Sequence, residues 1–463
     1  MTKVSIIGAG IGGLTAALKL AQQGHAVTVF EASDSAGGLA KSVTVQGQRF
    51  DAGPYILLDK PGLAWAFSQV GLDLDALQLK RIENVYSVES KNGVFTVHAD
   101  YQKTIDALNA GWPQQGTHYA KFVKSSYARY KQLNPFTFSV PSPFKIIKSG
   151  QFSLLPFLLR SLGSVLQQFN LNAALRDGIG IWTHIAAQSL DKAPSPMAFV
   201  PGLTHNVGAY YPEQGIGTIA DTLYAACVKQ GVHFKFNSKV NKICIEQNCV
   251  TGLEYNGTQF EACKHVISNN SAIATYVNLI EETPADFKAS LKALPLQSPG
   301  VCVFLRVKGQ PTGSYIKFKL EEQLPNCKSF ILPAIVTKEN TDTWLPARLV
   351  FPLPHDYASN LSDEACKAMI DAVLQESWWK AGITDYEVLG YNTPSTWARK
   401  FELYNKSMNP VMTAKFMRMG RMKHKSPYFK GLYFCGSSTH PGQWVSFCAI
   451  SGILATQQLL DEL

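Results

Sequence analysis

Near the start of the chain, Gly8-Ala9-Gly10-Ile11-Gly12-Gly13 separates an apolar strand, Val4 to Ile7, from a helical stretch, Leu14 to Gln23. Few local patterns restrict a fold as much. Gly8 permits the tight turn, Gly10 lets a pyrophosphate approach the backbone, and Gly13 lets the helix pack close to the strand, so that the amides from Ile11 and Gly12 onward face an anion. A second strand, Ala26 to Phe30, ends at Glu31 and Ala32, about twenty residues on, where a carboxylate accepts hydrogen bonds from an adenosine ribose and disfavours a 2'-phosphate. Strand, turn, helix, strand and acid in that order predict the opening unit of a doubly wound α/β sheet and a dinucleotide site. On these residues alone NAD and FAD both stay open.

With 463 residues, 46% hydrophobic and 17% charged, the chain can bury a large core and divide into two domains. Nine scattered cysteines contain no pair at two-residue spacing, which suggests neither a metal site nor a disulfide framework. The chain opens directly on its first strand, without a charged-then-apolar leader, so a cytoplasmic location is expected. A net charge of +9 fits nucleic acid, an anionic membrane, an acidic substrate or nothing specific, and no nucleic-acid module is recognisable. No apolar run reaches the roughly 18 to 20 residues of a membrane span.

Alternation from Asn84 to His98 predicts a hairpin, followed by helical, aromatic-rich sequence. Around 141–170, apolar residues with Lys145, Lys148 and Arg160 interspersed could dip into a membrane interface, or form a core helix pair, since Pro156 and Gly163 spoil a long amphipathic helix. The α/β pattern returns with a helix Ile219 to Gln230, Gly231 as its stop, and strands Val232 to Phe236, Val240 to Ile245 and Val266 to Ser268. Long strands such as Gly300 to Val307 and helices such as Asp363 to Trp378 suit a second, sheet-based unit. The basic run Lys415 to Lys430, with Arg418, Arg421, Lys423, His424 and Lys425, reads as a solvated face or an attachment to anionic lipid.

Gly37-Gly38-Leu39-Ala40, Phe50-Asp51-Ala52-Gly53-Pro54 and, near the other end, Gly431-Leu432-Tyr433-Phe434-Cys435-Gly436 with Thr439-His440-Pro441-Gly442 resemble segments of the phytoene desaturase-like flavoproteins, carotenoid desaturases and isomerases within the flavin amine oxidase superfamily. Tyr211 to Gly215, Lys239-Val240 and Val266 to Asn269 are similar to internal segments of that family. The resemblance implies a Rossmann-type FAD-binding domain (1–82, 206–281 and 414–463) with an interleaved α+β substrate domain (83–205 and 282–413). It implies non-covalent FAD with its adenosine near Glu31, Ala32 and Val240, and its pyrophosphate at Gly10 to Gly13, Gly38 with Leu39 and Ala40, and Gly436 with Ser437. The ring is then expected near Pro54, Tyr55 and Val445. No second glycine fingerprint serves a nicotinamide, so oxygen or a membrane quinone is expected to reoxidise the flavin.

The family activity that this resemblance implies is hydride removal from a hydrophobic isoprenoid or polyene; an amine or imine oxidase, a polyene isomerase and a non-catalytic flavin-containing carrier are the competing readings. No catalytic acid or base is assigned. His440, Trp444 and Tyr211 are weak candidates, with Tyr55, Tyr210 and Tyr211 expected to line the pocket. Two departures from the family pattern stand out. Leu39 occupies a position usually held by arginine, with Lys41 as a substitute charge, and Gln443 to Cys448 brings Trp444 and Phe447 where the family has small residues. If both rings face the flavin, the chamber is too short for a long polyene; if they pack inward, it is not.

Overall fold

In the computed structural model, residues 1–140, 148–152, 154–184, 187–337, 343–413, 416 and 421–463 are described. Residues 141–147 of the suspected interfacial segment, and Lys415 and Arg418 of the basic run, lie outside them.

Short runs of apolar residues build a five-stranded parallel sheet in the order Leu432–Phe434, Val266–Ser268, Lys3–Ile7, Ala26–Phe30, His233–Lys235. The three central strands are buried almost throughout, as strands covered on both faces must be. Residues more than 400 positions apart thus share one sheet, with Ser268 pairing Ile7 on one side and Phe434 on the other. The first helix spans Ile11–Gln22, so Gly12 and Gly13 belong to its opening turn. It packs against the last helix, Val445–Leu460, where Gly12 faces Gly452: a Cβ on Gly452 would stand 2.4 Å from the Gly12 carbonyl oxygen. The helix expected from Ile219 runs Gly217–Lys229 and stops before Gly231, which takes a φ of 81°.

A seven-stranded mixed sheet forms the second layer, in the order Ile383–Asn392, Val301–Gly309, Leu345–Phe351, Cys327–Ile331, Ile316–Leu320, Asn84–Ser90, Gly93–His98. Its last two strands are the predicted hairpin, joined through the parallel pairing of Ile316 with Tyr86. One face of this sheet, Val301, Val303, Leu305 and Val307, packs on the helix Asp363–Gln375. Cys302 and Phe304 point the other way, toward the hairpin Ser42–Val45 and Gln48–Asp51, with Phe304 5.0 Å from Phe50. Helices Tyr101–Gly111, Gln115–Thr137, Ala173–His184 and Phe199–Asn206 surround the hairpin end. Between them, among its described residues, the suspected interfacial segment contributes two five-residue helices, Leu154–Leu158 and Leu162–Leu166. No helix among the described residues is long and apolar enough to cross a membrane.

The strand-to-helix turn depends on contacts a methyl group would destroy. A Cβ on Gly13 would stand 2.1 Å from the Gly8 carbonyl oxygen, a backbone atom that cannot swing aside. Gly13→Ala is therefore expected to destabilise the protein by about 1–3 kcal/mol, as overpacking does, measured as a lower midpoint in urea denaturation.

Candidate functional site

The C-terminal ends of the parallel strands open into a cavity of about 1350 Å³ that continues between the two sheets. An ordinary small-molecule site is roughly 300–1,000 Å³, so this one has room for a dinucleotide and a second molecule. Gly8, Gly10, Ile11 and Gly12 form one part of the wall, with Gly38, Leu39 and Ala40 beside them and Gly436 and Ser437 opposite. Glu31, Ala32 and Val240 form another part; Pro54, Tyr55, Trp444 and Val445 a third.

Around the glycines the main chain is packed too tightly for side chains. Gly37 N–H donates to the Ala9 carbonyl at 2.8 Å, and a Cβ on Gly38 would lie 3.3 Å from Gly10 Cα. Gly10 caps the first helix without any side-chain hydrogen bond, which leaves the helix N-terminal amides available to an anion. Glu31 is fixed by its own contacts: Oε2 accepts from Ala9 N–H at 2.7 Å, and Oε1 from the amide and hydroxyl of Ser33 at 2.9 and 2.8 Å. Its main-chain carbonyl accepts from Ser238 N–H at 2.8 Å, which ties the Ser238 to Val240 segment to the same corner. Exposed amides, positive-φ glycines and an oriented carboxylate suit a pyrophosphate and a ribose, so the residues present fit a dinucleotide.

Not every expected residue reaches the wall. Gly13 lies behind it, against Gly8. Tyr211 is buried, its hydroxyl donating to Asp51 Oδ2 at 2.7 Å, and Tyr210 is also outside the wall. His440 shares a hydrogen bond of 3.1 Å with the Phe136 carbonyl, and burial, with His424 and Arg421 nearby, pulls its pKa down to about 4. It is a neutral packing residue away from the cavity. Lys41 reaches Ser35 Oγ at 3.2 Å and the Phe401 ring instead of the glycine loops. Trp444 lines the cavity, whereas Phe447 stacks behind it, ring centroids 5.0 Å apart and nearly parallel. In the basic run, His424 is buried against the Phe434 carbonyl and Arg421 Nη1 donates to the Ser437 carbonyl at 3.1 Å, so part of the expected solvated face points inward.

Two wall residues, Asp59 and Arg348, escaped the reading of the sequence, and a third, Asn269, stood at the end of a family-like segment without being assigned to the site. Asn269 follows the strand Val266–Ser268 and fills the space left by the glycines. Asp59 caps the helix Lys60–Ser68 through Gly62 N–H at 3.1 Å; burial raises its pKa, and Ser446, Gly62 N–H and Tyr130 partly offset that through hydrogen bonds. Arg348, in the middle of a sheet strand, donates through Nη1 to the carbonyls of Asp51 at 2.7 Å and Gly53 at 3.3 Å, and so supports Pro54 and Tyr55. The Tyr55 carbonyl is held further by the Tyr315 hydroxyl. An aspartate in an "LLD" run and an arginine in an alternating strand carry no local signal of a site.

A parallel sheet with a glycine turn, an oriented acid and a continuous second chamber defines a dinucleotide-dependent oxidoreductase. Residues 11–460 match the family model of the flavin containing amine oxidoreductases. The chain belongs to that family, and its cofactor is FAD. Among its relatives are a phytoene desaturase of Fusarium fujikuroi, 25% identical over 99% of this chain and 89% of that one, and a 1-hydroxycarotenoid 3,4-desaturase of a Flavobacterium, 24% identical over 97% of both. A 4,4'-diaponeurosporene oxygenase of Staphylococcus aureus is 24% identical over 100% of this chain and 98% of that one. An oxidoreductase from Methanosarcina mazei shares the fold, with a TM-score of 0.70 at 19% identity over 99% of this chain and 100% of that one.

Removing the Glu31 carboxylate frees three donors and takes away the acceptor facing the cavity. Glu31→Ala is expected to weaken FAD binding by about 1.5–3 kcal/mol, the range for hydrogen bonds to a charged group, measured by titrating apoprotein with FAD and following quenching of flavin fluorescence.

Proposed function

We propose that this protein is an FAD-dependent desaturase that takes hydride from a hydrophobic polyene or isoprenoid, with FAD held non-covalently along the glycine-lined wall and its ring beside Pro54, Tyr55 and Val445. The observation that carries this reading is the continuity of one cavity, whose glycine-rich part opens onto Ile56, Leu57, Leu58, Met197 and Val200. The names of the relatives, which act on carotenoids, support the same substrate class.

When bound, FAD supplies the two-electron acceptor for the hydride. The chain's share is to hold an apolar skeleton with one C–H toward the ring, to exclude water, and to accept the second hydrogen as a proton. Asp59 is the buried carboxyl in the wall, beside Ser446 at the start of the last helix. Its raised pKa makes it a stronger base than an exposed aspartate, in the ionised form. Asp59 is therefore assigned as the proton acceptor.

Molecular oxygen or a membrane quinone completes the cycle. Phe152, Leu155 and Leu159 are exposed, at 57, 41 and 58%, and Arg160 directly follows Leu159 in the chain, which suits contact with an anionic lipid surface from which a greasy substrate is drawn.

Anaerobic mixing with carotenoid precursors is expected to bleach the bound flavin; bleaching by simple amines or pyrrolines alone would overturn the reading in favour of an amine or imine oxidase. Asp59→Asn keeps the helix cap and is expected to lower the bleaching rate by about 10²–10⁴-fold with FAD binding intact. In the wild type the rate should fall as pH drops through the elevated pKa of Asp59, because protonation removes the base. For the surface patch, the protein is expected to co-sediment with anionic vesicles at low salt and Leu155→Glu with Leu159→Glu to abolish this; failure of the wild type to co-sediment would remove the membrane contact.

A further inference from the structure

The apolar chamber contains a charge that the reaction above does not use. Arg348 is 4% exposed and sits on the cavity face of the seven-stranded sheet, opposite Phe304 in register, with Cys302, Ser329 and Val350 on the same wall. Nη1 is committed to the Asp51 and Gly53 carbonyls. The neighbouring side chains offer little to the rest of the fork. Among the described residues no carboxylate lies within 4.0 Å of the guanidinium. Asp51 is a countercharge beyond that distance, since burial raises its pKa and the Arg348 guanidinium offsets part of the rise, but its carboxylate oxygens are taken by the Tyr211 hydroxyl at 2.7 Å and the Ile216 N–H at 2.8 Å. Cys302 meets Arg348 as a thiol whose pKa burial pushes up to about 11, a neutral and weak partner, and Ser329 Oγ donates to the Val350 carbonyl. The Tyr55 ring lies 5.8 Å from the guanidinium carbon.

A buried arginine without an ion-pair partner is costly unless something supplies the missing acceptor. Two carbonyls do not replace a carboxylate, and the planar fork of Nε and Nη2 is shaped to take one with two parallel hydrogen bonds. The residue also adjoins Pro54 and Tyr55, beside which the proposed function puts the flavin ring that the reacting C–H must face.

Resting on that reading, we propose that Arg348 recognises an oxygen anion on the substrate, so that within the polyene and isoprenoid class the chamber prefers a carboxylate-bearing compound, an unsaturated or isoprenoid acid, over the corresponding hydrocarbon. Arg348 is then the specificity-determining residue of the chamber, and the same charge repels protonated amines.

The test uses the FAD-loaded protein and three probes with one hydrocarbon chain, oleate, oleyl alcohol and oleylamine, each titrated while the absorbance of the bound flavin is followed. In the wild type, oleate is expected to bind more tightly than the alcohol by about tenfold or more, the worth of a charged hydrogen-bonded pair, and the amine most weakly. Arg348→Met is expected to abolish the preference for the acid, read as the ratio of acid to alcohol affinity within the same variant; Arg348→Lys, which keeps the charge without the fork, is expected to restore part of it. Equal binding of acid and alcohol by the wild type overturns the proposal without any variant having to fold, and leaves the apolar chamber standing. An unchanged preference in Arg348→Met also overturns it, and if that variant shifts the flavin reduction potential instead, the anion that Arg348 serves is the reduced cofactor. If no probe perturbs the flavin, the reading of the chamber as an apolar substrate site fails first.

Discussion

Asn269 occupies a space that exists because five neighbouring residues have no side chain. A Cβ on Gly10 would come within 2.7 Å of its Nδ2, and one on Gly12 or Gly436 within 2.6 Å of its Oδ1; Gly8 and Gly13 also border it. Its own N–H donates to the Ile7 carbonyl at 2.8 Å, while Cys435 N–H donates to Ser268 one residue before it. Three segments, from the beginning, the middle and the end of the chain, are brought together at this point. The close approach that leaves room for the proposed pyrophosphate at the backbone is the same close approach that fastens the sheet. The proposed cofactor site and the integrity of the first layer therefore share one set of contacts.

From that junction the second layer is positioned by polar links as much as by apolar packing. Arg348 reaches across from the mixed sheet to the carbonyls of Asp51 and Gly53, and Asp51 in turn receives Tyr211 and the Ile216 amide at the start of a helix of the first layer. These are buried groups, where each unmade hydrogen bond is expensive. The segment Pro54 to Asp59, which forms the boundary between the cofactor wall and the apolar chamber, is consequently held from both sides. Such rigidity is what a hydride transfer needs, since the reacting C–H has to be presented at a fixed distance and angle.

The parts of the site legible in the sequence are those whose chemistry is main-chain chemistry. Gly8, Gly10 and Gly12, the acid Glu31 and the segments at Gly38, Pro54, Val240 and Gly436 could be read because turns, close approaches and strand ends demand particular residues in a short, continuous span. Side chains that act across the fold could not be read in this way. Tyr211 and His440 stand in recognisable segments yet turn into the interior, one to Asp51 and the other to the Phe136 carbonyl. Lys41 and Arg421 carry the expected charge and spend it on Ser35 and on the Ser437 carbonyl.

The sequence by itself determined that a strand, a glycine turn, a helix and an acid would make a dinucleotide cradle, because those demands are set by sterics and hydrogen bonding within a few residues. Only the tertiary structure decided which face of each strand would meet the chamber. Arg348 and Cys302 look inward because the mixed sheet packs its other face on the helix Asp363–Gln375, and Asp59 is buried because a helix begins where the last helix also begins. Burial of a side chain is a property of its neighbours in space, and those neighbours come from parts of the chain hundreds of residues away.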